Sequence, residues 1–187
     1  EFFPMLDVPF KYGSGWSADD DAHQAAVAVI SSEVNQQVFD GGNSVGRTID
    51  IEGKDYRVIG VLDDWNPQPI FFDVVDTGGF SNDGPGVFLP LQRAIAVNMS
   101  NSGVNNCPTG GLSGESGFAG LQHSNCVWMA YMAELDDAVA VQRYRQYLDD
   151  YARDQRKLGR FNWAPNNRLR DVPAFLEYEH VVPGDTR

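Results

Sequence analysis

Long apolar runs and basic residues are scarce in this sequence. No stretch approaches the ~20 consecutive apolar residues that cross a bilayer, and no signal-peptide pattern opens the chain. Acidic residues outnumber basic residues 26 to 14, so a nucleic-acid backbone would be repelled and a polybasic surface for anionic lipid is missing. We therefore expect a chain that lies outside the membrane and binds no nucleic acid.

Signatures of catalysis and metal binding are equally scarce. The sequence has no Gly-x-Ser-x-Gly elbow, and no nucleophile pattern accompanies His23, His123 or His180. Paired carboxylates for glycoside hydrolysis stay open as an alternative, but nothing selects two of the 26 acids. Acidic clusters such as residues 19–21 lack the alternating ligands of a calcium loop, so we interpret them as solvated turns. The sequence predicts no enzyme activity, no cofactor and no bound metal.

One segment imitates a phosphate-binding loop. Residues 41–48 read Gly-Gly-Asn-Ser-Val-Gly-Arg-Thr, which fits the Gly-x4-Gly-Lys-Thr pattern except that Arg47 replaces the lysine. A phosphate loop follows a strand and opens a helix, whereas this segment follows a predicted helix and leads into a strand at Thr48. We interpret it as a turn and not as a nucleotide site.

Cysteine occurs at two positions, Cys107 and Cys126, which bracket a run rich in Gly, Ser and Asn. Two cysteines alone cannot form a structural zinc site, and no histidine lies at ligand spacing from both. A bond between them would stabilise a loop with few apolar anchors, as disulfides do in oxidising compartments. The pattern therefore favours a disulfide over two free thiols.

Apolar periodicity predicts an α+β fold. Residues 25–30 form a buried strand that leads into a short helix, and residues 48–51 and 56–62 alternate like a β-hairpin. Further strands are predicted at 71–75, 87–91, 126–135 and 161–164, and further helices at 91–99, 136–158 and 171–179. The polar segment 101–120 is predicted to be a long surface loop.

The domain organisation follows from these elements. Because no linker or repeat divides the chain, we expect a single domain over residues 1–187. It is divisible into a β-rich lobe with short helices over residues 1–120 and a porter-like strand-helix-strand unit over residues 121–187, which ends in a membrane-proximal helix.

Several short motifs occur in a characteristic order, at Phe3, Gly13, Trp16, Ala28–Ser31, Phe39, Val45–Ile49, Tyr56–Val61 and Val87–Leu91. This order resembles a known family, the MacB-like periplasmic core domain of FtsX/MacB-type (type VII) ABC transporter permeases. Their order and spacing match as a set, most strongly in the first third of the chain. The segment 101–120 departs from the family pattern.

The resemblance implies a non-catalytic periplasmic domain of a bacterial inner-membrane protein. Such a domain couples cytoplasmic ATP hydrolysis to periplasmic export or efflux by mechanotransmission. The partners it implies are a periplasmic adaptor, a second permease copy in a dimer, and a cytoplasmic ATPase subunit or domain. The alternative that the residues leave open is a secreted ligand- or glycan-binding module that uses the four tryptophans, Trp16, Trp65, Trp128 and Trp163.

Overall fold

The predicted hairpin lies at the centre of a mixed five-stranded sheet. The computed structural model describes residues 2–74, 79–80, 84–100, 107, 117–124, 126–160 and 164–181. The strands are β1 (Phe10–Gly13), β2 (Val27–Ile30), β3 (Thr48–Ile51), β4 (Lys54–Leu62) and β5 (Val87–Phe88). The helices are α1 (Phe2–Met5), α2 (Ala18–Ala22), α3 (Ser32–Phe39), α4 (Leu91–Ala96), α5 (Gly117–Gln122), α6 (Ala138–Lys157) and α7 (Val172–Tyr178). The predicted α+β class is confirmed.

The chain divides into two compact units. The first consists of Glu1–Gln68, Ser81–Ser102 and Glu115–Gln122, and the second of Pro69–Phe80, Gly103–Gly114 and His123–Arg187. All five strands of the sheet belong to the first unit, whereas α6 and α7 belong to the second.

Strand β4 organises the sheet because three other strands pair with it. Strand β3 pairs antiparallel with its first half and β1 antiparallel with its second half, while β2 runs parallel to it and carries β5 on its far side. The turn between β3 and β4 consists of Glu52 and Gly53, whose φ angles of 53° and 73° match the two left-handed residues of a tight hairpin turn. The predicted hairpin is confirmed.

The core of the first unit lies on both faces of this sheet. Strand β2 is buried along all of its length, so its alternating side chains enter two clusters. Ala28 and Ile30 belong to the cluster that α3 covers with Phe39, and Val29 belongs to the cluster that α1 covers with Phe3. Burial on both faces explains why the sequence of β2 is a continuous apolar run, and the predicted buried strand is confirmed.

Three predicted elements differ from the structure. Residues 71–73 form turns and Val74 is helical, because the Asp73 amide donates to the Ile70 carbonyl (3.2 Å) and bends the chain where a strand was predicted. Residues 126–135 form no strand apart from a single bridge at Val127, since no described strand pairs along them. The predicted loop 101–120 is described only at Cys107 and at residues 117–120, which begin α5. Residues 161–163 of the last predicted strand lie outside the described residues.

The other predicted helices are confirmed with small changes of boundary. Helix α4 ends at Ala96, earlier than the predicted Met99. Helices α6 and α7 begin after Asp137 and Asp171, whose carboxylates accept the amide hydrogens of Ala140 (2.7 Å) and Ala174 (2.9 Å). These caps satisfy amides that the first turn of a helix leaves without partners.

Candidate functional site

The segment that imitates a phosphate loop is a turn held by buried side chains. It follows α3 and leads into β3, which confirms the predicted order of elements. The Asn35 side-chain amide donates to the Gly42 carbonyl (3.0 Å), and the buried Ser44 hydroxyl donates to Asn35 Oδ1 (2.6 Å). The Arg47 guanidinium lies over the Phe39 ring, 4.4 Å from its centroid. The polar groups of this segment therefore serve the turn itself.

We expect Ser44→Ala to lower the free energy of unfolding by about 1–2 kcal/mol, because it leaves the buried Asn35 oxygen without its hydrogen bond. Urea unfolding of the 187-residue chain, followed by circular dichroism, measures the loss. Ser14→Ala is the matched control, since the Ser14 hydroxyl is exposed and bonds only to the neighbouring Gly15 carbonyl. Equal stability of the two variants would contradict a role for the buried link.

The two cysteines that the sequence analysis selected are joined in the structure. Cys107 and Cys126 form a disulfide within the second unit, across a sequence separation of 19 residues. The Cys126 amide donates to the Ser124 hydroxyl (3.1 Å), which fixes the backbone beside the bond. The disulfide anchors a polar stretch of chain that has few apolar residues of its own.

Helix α6 carries an aromatic surface that we call the tyrosine face, formed by Tyr131, Tyr144, Tyr147 and Tyr151. The Tyr147 ring stacks between the rings of Tyr144 and Tyr151, with centroid distances of 6.0 Å to Tyr144 and 6.4 Å to Tyr151. Tyr131 precedes the helix. Burial raises the pKa of the Tyr144 hydroxyl above its usual range, and its hydrogen bond with Tyr131 raises that pKa further. The Tyr144 hydroxyl therefore stays protonated at neutral pH.

Much of the tyrosine face is open to solvent. Tyr131 is 77% exposed, Tyr147 59% and Tyr151 46%, and no residue of α6 is fully buried. The apolar stripe predicted on α6 included Tyr144 and Tyr151 but not Tyr147 or Tyr131. The spacing of tyrosines at 144, 147 and 151 could have shown the helix part of the face, because residues three and four apart share one side of a helix.

Helix α6 and the segment after it are rich in basic residues although the chain is acidic. Residues 138–170 hold eight of the 14 basic residues and three of the 26 acidic residues. Within α6, Arg153 pairs with Asp150 and Lys157 with Asp154, and the hydrogen bond from Lys157 lowers the pKa of the Asp154 carboxyl. Arg143, Arg145 and Arg156 form no ion pair with any described residue. At 3.6 residues per turn, Arg143 lies beside the helix tyrosines, whereas Arg145 and Arg156 lie further round the helix.

Two of the four tryptophans serve the core of the first unit. Trp16 packs edge to face on Phe3 at a centroid distance of 4.9 Å, and Trp65 packs edge to face on Phe2 at 6.1 Å. Both rings are therefore committed to internal contacts and do not form a flat platform for a sugar ring. Trp128 lies in the second unit, and Trp163 lies outside the described residues.

The described residues contain no group of three or more His, Cys, Asp or Glu side chains placed to hold a metal ion. Among the helices of the same residues, none combines the length and the apolar character that a bilayer crossing demands.

The fold and the exposed face define a mixed α+β domain with a candidate protein-binding surface. The family model described as the MacB-like periplasmic core domain matches residues 1–151, so the chain belongs to this family. The resemblance inferred from the sequence motifs is thereby confirmed. The chain is a periplasmic or extracellular domain of an ABC transporter component.

Two solved structures of similar domains come from transporters. The periplasmic region of MacB from Actinobacillus actinomycetemcomitans is 18% identical, with a TM-score of 0.39, and the match covers 55% of this chain and 40% of that one. The extracellular domain of the noncanonic ABC-type transporter YknZ from Gram-positive bacteria is 19% identical, with a TM-score of 0.32, and the match covers 34% of each chain. The matched part is less than half of either solved chain. No curated protein sequence matches the chain.

Proposed function

We propose that this domain couples ATP hydrolysis in the cytoplasm to export on the other side of the membrane, and that it docks a periplasmic adaptor protein on the tyrosine face. The observation that carries the coupling role is the match of the family model to residues 1–151. The full permease would work with an ATPase subunit or domain and with a second permease copy. The domain itself would be non-catalytic and would transmit mechanical change.

The composition of the tyrosine face suits a protein partner. Tyrosine and arginine are enriched at the centres of protein interfaces, because their large side chains bury much area and still form directed polar contacts. Tyr147 and Tyr151 are exposed, and the same helix carries three arginines that form no ion pair with any described residue. Charge complementarity therefore points to an adaptor segment that presents apolar side chains together with acidic ones.

Rigidity of α6 supports its use as a docking element in mechanical coupling. Its first turn is capped by Asp137, and the Asn167 side chain donates to the Leu148 carbonyl (2.9 Å) and to the Asp149 carboxylate (3.0 Å). These bonds tie the helix to the segment that leads into α7. A partner held on such a helix can favour one arrangement of the transporter over another, since coupling needs a difference in binding free energy between two states.

Paired substitution of Tyr147 and Tyr151 by Ser in the full-length permease tests adaptor docking. We expect adaptor co-purification to fall by about tenfold or more, because two central aromatic anchors are lost. Basal ATPase activity should be unchanged, since these side chains are exposed and support no buried contact.

Paired substitution of Val38 and Leu91 by Ser is the matched control. These apolar side chains are 51% and 39% exposed and belong to the first unit, outside the tyrosine face. Adaptor recovery should stay at the wild-type level in this variant. If both double variants retained the adaptor equally, the proposal that the adaptor docks on the tyrosine face would be wrong. The coupling role is tested separately, by measuring transport.

A further inference from the structure

A cavity of about 610 Å³ lies within the second unit. Aromatic and apolar side chains dominate its wall, among them Phe71, Phe72, Val74, Trp128, Met132 and Phe175. Its volume falls within the range of about 300–1,000 Å³ that is typical of small-molecule sites. At about 30 Å³ for each water-sized group, the space admits roughly twenty non-hydrogen atoms. The cavity is large enough for a small ligand with an extended apolar part.

The polar part of the lining comes mainly from the segment before α7. Arg168 and Arg170 line the cavity together with the acids Asp73 and Asp171. The Asp171 carboxylate already accepts the Ala174 amide hydrogen (2.9 Å) at the start of α7, so part of its charge is balanced by the helix. Within the described part of the chain, neither arginine takes part in an ion pair. The two guanidinium groups are therefore free to meet an anion.

Packing holds one of these arginines in place. The Arg170 guanidinium carbon lies 3.7 Å from the centroid of the Tyr178 ring, so its planar group is already oriented before a ligand arrives. Arg168 is exposed and reaches solvent beside it. One guanidinium packed on a tyrosine ring and one exposed guanidinium, next to an aromatic wall, form a site with an apolar part and a cationic part.

We propose that this cavity binds a dissolved single-chain amphiphile, with its apolar chain against the aromatic wall and its anionic headgroup at Arg168 and Arg170. Burial of the chain supplies affinity, and guanidinium groups can bind a carboxylate, sulfate or phosphate through paired hydrogen bonds. A cationic headgroup at the two arginines would be repelled, although Asp73 also lines the cavity, and a neutral headgroup would gain no ion pair. The cavity shares Tyr131 with the tyrosine face, but Tyr147 and Tyr151 do not line it, so ligand binding and adaptor docking can be tested with different residues.

Calorimetry of the 187-residue chain with laurate, below the concentration at which laurate forms micelles, tests the proposal. We expect saturable binding to one site, accompanied by a change in tryptophan fluorescence from Trp128. Dodecyltrimethylammonium, which has the same chain length and the opposite charge, should bind at least about tenfold more weakly. Arg168→Gln should weaken laurate binding about fivefold, whereas Arg145→Gln, which changes an exposed arginine outside the cavity, should not.

A second pair of variants tests the location of the chain. Ala130→Trp places a large ring in the lining and should abolish laurate binding, whereas Ala174→Trp alters an exposed alanine that does not line the cavity and should leave binding intact. Circular dichroism verifies that each variant is folded. The arginine variants decide the question if Ala130→Trp does not fold.

Four results would overturn the proposal. The first three are the absence of saturable laurate binding, equal affinity for the two headgroup charges, and laurate binding that is unchanged in both Ala130→Trp and Arg168→Gln. Pelleting of the protein with phosphatidylglycerol vesicles shows whether it binds an anionic membrane surface instead of a dissolved anionic amphiphile. Association with vesicles alone, without binding of monomeric laurate, would also overturn it. Each of these results leaves the adaptor experiment unaffected, because that experiment uses residues outside the cavity.

Discussion

Loss of the bond between Cys107 and Cys126 is expected to lower the free energy of unfolding of the chain by about 3 kcal/mol. The bond spans a sequence separation of 19 residues, and closing a loop of that length removes conformational entropy from the unfolded chain. The enclosed sequence is rich in Gly and Ser, so the unfolded chain gains much freedom when the bond is absent. A structural disulfide of this kind also suits an oxidising compartment.

Urea unfolding of the oxidised chain and of the paired Cys107→Ser and Cys126→Ser variant measures this difference. A reducing agent should bring the wild-type chain down to the stability of the variant and should leave the variant itself unchanged. Thiol titration of the unfolded, unreduced chain should find no free thiol. Two titratable thiols, or equal stability of the oxidised chain and the variant, would show that the bond is not formed or does not stabilise the chain.

Elements with strong local signals could be predicted from the sequence. The hairpin was visible because residues 52–55 separate two alternating segments. In the structure the turn is shorter, since β4 already begins at Lys54 and pairs with Ile51. Helix α6 was visible because Asp137 provides a cap and apolar residues recur at helical spacing. In both cases the information that determines the element lies within about twenty residues of chain.

Elements that depend on distant partners could not be predicted in this way. Residues 126–135 have the side chains of a strand, yet a strand needs a neighbour along its length, and sequence composition does not show whether one is present. A loop was predicted at the position of helix α5. The reason was that Gly and Ser dominate the segment before it. Its buried Phe118 and Leu121 are the apolar anchors that the low average hydropathy of the region concealed.

The candidate surfaces were missed for a related reason. Tyr131 joins the tyrosine face from a segment before α6, so only the folded chain brings it to Tyr144. The cavity is lined by residues near positions 71–74, 127–133 and 168–175, which are separated by dozens of residues. By contrast, the family resemblance was visible because it depends on the order of short motifs, one of which includes Gly13.

Gly13→Ala is expected to lower the free energy of unfolding of the first unit by about 3 kcal/mol or more. Gly13 ends β1 with a φ angle of 68°, which costs an alanine about 1–2 kcal/mol. A β-carbon at this position would also overlap the backbone carbonyl oxygen of Ile59 on β4. The Ser14 amide donates to that same oxygen (3.2 Å), so the strands cannot separate without loss of a hydrogen bond.

Gly53→Ala separates the two causes of this loss. Gly53 has a similar φ angle of 73°, but an added β-carbon there would meet no atom within 4 Å. The control should therefore lose only about 1–2 kcal/mol, the cost of the backbone conformation. Urea unfolding of both variants, followed by tryptophan fluorescence, gives the comparison, because Trp16 and Trp65 report on the first unit. If both variants lost the same stability, the close approach of β1 to β4 would not be the reason for glycine at position 13. A larger loss in Gly13→Ala would instead assign that glycine to strand packing, and the motif that marks the family would then have a structural cause.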